Sequence, residues 1–323
     1  MSTSRPTLSQ SATKRDIASG MGSASVDTGG TFTDLVYRDE DGRRIRLKVP
    51  STPDDPSRAV QDALRALRER APDITVKELR HGSTVATNAL LERRGARTLF
   101  ITNEGFEDLL RLRRQDRPEL YALHPQVPPP LVAAVAGLPG RLGADGREHQ
   151  ALPNLARWID IHTPGDFESV ALCLLHSYLS PDHEAALAKA FRERFPDVPL
   201  TVSSELAPLH REYERASTTV VNAYVAPLMA RYLMTLEQGL DSAPLSVMGS
   251  AGGLLPVDKA CLEPVHTVLS GPAGGVRGAL AVGVRAEREQ LLTLDMGGTS
   301  TDVSLIAGEL IPDDTSHIDE HPL

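Results

Sequence analysis

The sequence predicts an α/β fold of two similar lobes that face one ligand. Three observations predict it. A turn, Val26-Asp27-Thr28-Gly29-Gly30-Thr31-Phe32-Thr33-Asp34, returns as Leu294-Asp295-Met296-Gly297-Gly298-Thr299-Ser300-Thr301-Asp302. Each copy opens a run of alternating strands, and the first is followed by strands that alternate with helical patterns. Two nearly identical copies far apart in one chain point to two related units.

The residue types suggest what the turn holds. Paired glycines let backbone approach a bulky anion, and threonine hydroxyls add donors and acceptors. An Asp at the end of the preceding strand can hold Mg²⁺ beside phosphate oxygens. Each copy therefore reads as half of a nucleotide-phosphate clamp. For one copy alone, a plain Gly-Gly hairpin turn is the competing explanation.

Composition bounds the function. The chain has 323 residues, 41% apolar and 24% charged, as expected for a globular protein of up to two domains. A net charge of −9 argues against nucleic-acid binding, which needs a basic surplus. No apolar run reaches the ~20 residues that span a bilayer, and no signal peptide is visible at the start. Cys173 and Cys261 read as small core hydrophobes in a reducing compartment. These features place the protein in the cytoplasm, away from membranes.

Taken in order, residues 1–24 are polar, Ser-rich and aperiodic, which predicts a disordered tail. The strand at 22–26 is weakly apolar for a buried strand. Residues 34–38 and 44–49 alternate around the Asp41-Gly42 turn. Pro56 leads a helix over 57–71. A strand at 76–80 runs into His81-Gly82-Ser83-Thr84. A helix follows over 85–94, with Gly95 as its stop. A strand at 97–102 and a helix at 105–111 continue the alternation. Between 120 and 167, prolines and glycines break it, which predicts a small β-rich insertion. It resumes with a strand at 169–175, a helix at 182–195 and a strand at 199–203. Residues 211–240 carry Val221, Tyr224, Val225, Leu228, Tyr232 and Leu236 at helical spacing, a core stripe with Pro227 inside it. After a strand at 245–249 come Ser270-Gly271-Pro272-Ala273-Gly274-Gly275, a helix at 276–285, and the second turn. The strands after that turn, 303–307 and 309–311, meet at Gly308.

These motifs resemble the A subunit of the hydantoinase/oxoprolinase family. The matching stretches are residues 26–34, 81–92, Arg114-Gln115-Asp116-Arg117-Pro118, Glu212-Tyr213-Glu214-Arg215, 270–275 and 295–303. The resemblance implies an actin/hexokinase-like ATPase fold with ribonuclease H-like lobes. By that comparison, residues 25–205 form a complete first lobe, and 206–323 begin a second lobe that is partial. The resemblance further implies ATP and Mg²⁺ as cofactors, and a hydantoinase B-type subunit as partner. The implied reaction opens a hydantoin, 5-oxoproline or lactam by phosphorylating the amide oxygen. ATP-dependent carboxylation of acetone or acetophenone is the alternative, and a truncated relative that only binds is a third reading.

Carried over by position, the resemblance makes Asp27, Asp295, Asp302 and His81 catalytic candidates. Asp27 and Asp295 would face the metal. Gly29, Gly30, Thr31, Gly297, Gly298 and Thr299 would bind phosphates from two sides. Gly274 and Gly275, with Gly271, would form an anion nest at a helix start or else allow close packing. His81, Thr84 and Asn88 would line the cleft near the substrate. Helix capping is the competing role for Thr84. Arg114, Arg117 and Arg215 would hold an anion or form a solvated charge run. The family's A units continue well past the second turn. That predicts weak or absent ATP binding by this polypeptide alone, and an exposed second sheet prone to association.

Overall fold

The structure, a computed structural model, describes residues 21–52, 54–115, 121–124, 128–163, 165–241, 243–296, 301–310, 317–318 and 321–322. Most of the tail expected over 1–24 lies outside these residues, but 21–24 are already strand.

Strand β1 (Met21–Thr28), β2 (Phe32–Asp39) and β3 (Arg44–Pro50) form an antiparallel meander. Helix α1 (Pro56–Arg70) crosses to β4 (Thr75–Ser83), which pairs with β1 in parallel. Along β1, burial alternates: Gly22, Ala24, Val26 and Thr28 point inward. A strand buried on one face needs only every second residue to be apolar. That resolves the weak run noticed at 22–26. Helix α1 starts where Asp55 accepts from the Ser57 N–H at 3.1 Å and Pro56 takes the first position. Its buried stripe of Ala59, Val60, Ala63, Leu64 and Leu67 covers Ala24, Val26, Leu35 and Tyr37.

Next come α2 (Val85–Leu91), β5 (Thr98–Asn103), α3 (Leu109–Leu112), β6 (Ala134–Leu138), β7 (Arg141–Leu142), β8 (Glu148–Gln150) and α4 (Leu155–His162). They are followed by β9 (Ser169–Leu172), α5 (Asp182–Arg194), β10 (Leu200–Val202) and α6 (Ser203–Leu206). Two expectations change here. The stretch at 120–167 is more than a β-rich insert, because β6 pairs in parallel with β5 and α4 is helical. Helix α2 ends at Leu91, with Arg93 left-handed at φ 54°. Gly95 has a different job: a Cβ there would stand 2.2 Å from the Tyr224 ring.

Helix α7 (Glu212–Gln238) is the spine. It packs on β9 and β10 on one side and on α1 on the other. Its buried residues lie all round it, as an interior helix requires. The chain then adds β11 (Leu245–Met248), β12 (Leu254–Pro256), α8 (Val257–Leu262), a 3₁₀ turn at Pro264–Thr267 and α9 (Ser270–Arg285). Strands β13 (Gln290–Met296) and β14 (Thr301–Ala307) follow, and then the short pair β15 (His317–Ile318) and β16 (His321–Pro322).

One sheet runs β12-β11-β4-β1-β2-β3 and a second, all parallel, runs β10-β9-β5-β6. The repeat forms its own two-stranded sheet, β13-β14. Cross-strand positions that are buried in the first hairpin are open in the second. Ala24 and Val26 are 0% and 1% exposed, whereas Leu292 and Leu294 are 73% and 65% exposed. Among the described residues no helix is long and apolar enough to cross a membrane. Burial pushes the Cys173 thiol up to about 11, as befits a core side chain.

Candidate functional site

The two turns are built to one register. In the first hairpin Asp27 pairs with Asp34 and Thr28 with Thr33. In the second Asp295 pairs with Asp302 and Met296 with Thr301. Each Asp therefore stands at the end of its strand beside a second Asp on the same face. Gly297, Gly298 and Thr299 lie outside the described residues.

The first turn is closed by the Gly29 N–H donating to the Phe32 carbonyl at 3.1 Å. Ser51, at the end of β3, braces it: its hydroxyl donates to the Gly29 carbonyl at 2.7 Å, and its N–H to the Thr31 carbonyl at 3.0 Å. Sequence reading missed Ser51, because only the hairpin register brings it to the turn. Neither Gly29 nor Gly30 is among the residues with positive φ. A plain Gly-Gly hairpin turn would use that freedom. Instead the space above Gly30 is empty to 4 Å, room that a side chain would take from an approaching group.

Asp27 lies across Gly82 of β4, where an added Cβ would stand 2.8 Å from its Oδ1. The Asp27 carboxyl keeps an open side, but its crowded floor raises its pKa by desolvation. Asp34 and then Asp295 raise it further, against the pull of Lys48. Asp295, at the end of β13, therefore lies within electrostatic reach of Asp27. Two carboxylates within reach of each other suit Mg²⁺, which binds through one or two carboxylates and completes its shell with water and phosphate oxygens. Among the described residues no set of three or more His, Cys, Asp or Glu converges as a cage.

Thr84 sits at the start of α2 but caps nothing. Its hydroxyl donates to the Thr28 carbonyl at 3.2 Å and accepts from Asn88 Nδ2 at 3.3 Å. Thr84 and Asn88 thus extend outward from the first turn. His81 differs from expectation. It does not line the cleft: it is 0% exposed, beneath the strands. Nδ1 is 3.2 Å from the Val26 carbonyl and Nε2 2.5 Å from the Tyr232 hydroxyl. Burial lowers its pKa to about 4, so the ring is neutral. A neutral ring that donates to Val26 from Nδ1 accepts the Tyr232 proton at Nε2. His81 therefore holds β1 in place and has no route to a substrate.

Helix α9 begins at Ser270, not 276, so Gly274 and Gly275 lie inside it. Leu269 is left-handed before it, its N–H donating to Thr87 Oγ1 at 3.1 Å, while Ser270 Oγ reaches the Ser83 carbonyl at 3.3 Å. A Cβ on Gly271 would meet nothing within 4 Å, and one on Gly275 would come no closer than 3.8 Å to Asp295 Oδ2. Tight packing does not require these glycines, and Gly275 lies beside Asp295. Arg215 is neither an anion site nor part of a solvated run. It is 2% exposed and donates to the Leu174 and Leu209 carbonyls at 2.8 and 2.7 Å. Arg114 pairs with Glu214 at the surface. Arg117 lies outside the described residues.

Known proteins resemble the chain in sequence and in fold. Residues 24–195 match the hydantoinase/oxoprolinase N-terminal region, and residues 215–323 match hydantoinase/oxoprolinase. Caprolactamase subunit alpha of Pseudomonas jessenii is 33% identical over 88% of this chain and 43% of its own length. The 5-oxoprolinase of Saccharomyces cerevisiae is 32% identical over 87% of this chain and 25% of its own length. The solved ATP-dependent caprolactamase of Pseudomonas jessenii superposes with a TM-score of 0.77 at 32% identity, over 87% of this chain and 43% of that one. A nucleotide-free acetone carboxylase superposes with a TM-score of 0.76 at 26% identity, over 94% of this chain and 47% of that one. The chain thus spans less than half the length of these proteins.

Proposed function

The chain belongs to the hydantoinase/oxoprolinase family, and from that premise we propose that it is the A-type component of an ATP-dependent cyclic amide hydrolase. The carrying observation is the matched pair of hairpins, Asp27–Asp34 and Asp295–Asp302, with Asp27 feeling the charge of Asp295. An amide carbon is a poor electrophile, and moving a phosphoryl group to the amide oxygen turns that oxygen into a leaving group. The protein's part is to position the phosphate chain and offset its charge. Gly29, Gly30 and Thr31 offer the open turn, and by the repeated motif Gly297, Gly298 and Thr299 would bind phosphates as well. Asp27 and Asp295 would hold Mg²⁺, which supplies positive charge at the phosphates. Asp302 orients that assembly from the neighbouring strand. Thr84 and Asn88 lie on the substrate side, and Gly275 lies beside Asp295; Gly274 would bind phosphate with it.

A hydantoinase B-type subunit would guide water to the activated carbon, with both proteins in the cytoplasm. The relation to caprolactamase subunit alpha supports such a partner. A second reading, ATP-dependent ketone carboxylation, is favoured by the acetone carboxylase match over 94% of the chain.

The test is ADP release by the chain combined with a B-type partner. On the hydrolase reading ADP forms only with a lactam, hydantoin or 5-oxoproline present. Asp27→Asn and Asp295→Asn each reduce it by about 10²-fold or more. ADP formation that needs bicarbonate and a ketone would favour the carboxylase. Unchanged ADP release in both variants would refute the site.

A further inference from the structure

Four residues lie in one row across four strands. Gly82 pairs with Asp27, Asp27 with Asp34, and Asp34 with Lys48. Direct partners share a face, so Asp27, Asp34 and Lys48 project together. Strands sit about 4.8 Å apart, which puts the Lys48 backbone about 10 Å from that of Asp27, within reach of its four-carbon stem. The ammonium is 2.6 Å from Asp34 Oδ2 and 5.0 Å from the centre of the Phe32 ring. Phe32 directly follows Gly29-Gly30-Thr31 and is half exposed. Lys48 thus sits at the open side of the first turn.

The charge around it is lopsided. Asp34 pairs with Asp27 across the strands, and the Asp295 charge adds to theirs, on the side where a polyanion would have to enter. Among the described residues, Lys48 is the cation whose charge pulls against the upward shift of Asp27. As a structural feature the Lys48–Asp34 pair achieves little. Both side chains are half exposed, where water and salt screen the attraction. An ammonium has three donors, so it can keep Asp34 and still take a phosphate oxygen.

We propose that Lys48 is a phosphate-binding residue of the first turn, held ready by Asp34 and the Phe32 ring, and that its ligand is the phosphate chain of a nucleoside triphosphate. The inference rests on the phosphate reading of the turn. It adds a cationic contact to a site otherwise built from backbone and carboxylates, and it makes binding depend on ionic strength.

The experiment titrates the full chain with Mg·ATP and with inorganic tripolyphosphate over a range of salt concentrations. It compares wild type with Lys48→Met, Lys48→Arg and, as a control, Lys77→Met, which removes the comparable exposed pair with Glu40. The expected result is about tenfold weaker binding of both ligands by Lys48→Met, with a shallower salt dependence. Lys48→Arg recovers most of the affinity, Lys77→Met matches wild type, and all four proteins melt alike. Wild-type affinity in Lys48→Met overturns the role of Lys48 and leaves the turn's phosphate role standing. A Lys48→Met protein that binds weakly only because it melts lower, with no rescue by arginine, makes the pair structural and also overturns it. Failure of wild type to bind tripolyphosphate, the phosphate chain alone, overturns both readings.

Discussion

Replacing Glu184 with alanine is expected to destabilise the chain by about 3–5 kcal/mol, the usual cost of removing one partner from a buried charged network. Glu184 is 0% exposed. One carboxylate oxygen accepts from the Leu174 N–H and the Ser203 hydroxyl, both at 2.7 Å, and the other from the Ser204 N–H at 2.8 Å. Ser203 in turn accepts from Arg215 Nε at 3.3 Å, and the Arg215 guanidinium lies 5.3 Å from the Tyr178 ring. The network joins α5, the end of β9, α6 and α7. The alanine variant would leave two backbone donors and the Ser203 hydroxyl without their acceptor, and would remove the carboxylate that Arg215 reaches through Ser203. Orphaned groups of this kind cost about 1–3 kcal/mol each. Urea unfolding at neutral pH reads the loss as a lower midpoint at unchanged slope. A loss below about 1 kcal/mol would show that water or rearrangement satisfies the network.

Acidification is expected to remove about 3 kcal/mol through His81. Its pKa falls from 6.5 unfolded to about 4 folded, because burial disfavours the charged ring more than the Val26 carbonyl favours it. Between those values the unfolded chain binds a proton that the native chain refuses. Stability is therefore full above pH 6.5 and is lost progressively as pH drops toward 4. Each pH unit across that window is worth 1.36 kcal/mol at most. Asp27 works in the opposite sense. Its raised pKa gives stability that is present below its ordinary value of 3.8 and lost as pH rises through the folded value. Imidazole NMR should show His81 still neutral at pH 5, and unfolding free energies should fall from pH 7 to 5. A His81 ring that titrates near 6.5 would contradict the buried placement.

Much of the architecture could be read from periodicity and punctuation. Pro56 and the stripe after it mark α1, and the spacing of Val221, Tyr224, Val225, Tyr232 and Leu236 marks α7. The pairing of β6 with β5 was hidden, because parallel partners are distant in sequence and prolines surround β6. The start of helix α9 is hidden as well, because Gly271, Pro272, Gly274 and Gly275 read as a loop yet continue the helix. At the site, the repeated Asp-x-Gly-Gly-Thr pattern was plain, since both halves use local residues. Ser51, Lys48 and Tyr232 were not. Each reaches the first turn only through strand register or helix packing, and nothing local distinguishes them from a turn serine, a surface lysine or a core tyrosine. The place of His81 is hidden for the same reason. A His before a Gly at a strand end looks exposed until alternation along β4 turns it inward.

The central claim is that the two aspartate turns face each other across one site. Carboxyl-carbon NMR titration of Asp27 tests it in this chain, in wild type and in Asp295→Asn. Asp27 is expected to titrate above 3.8 in wild type and to move down when the Asp295 charge is removed. An Asp27 titration that is the same in both proteins would mean that the second turn does not face the first, and the shared site would fall with it.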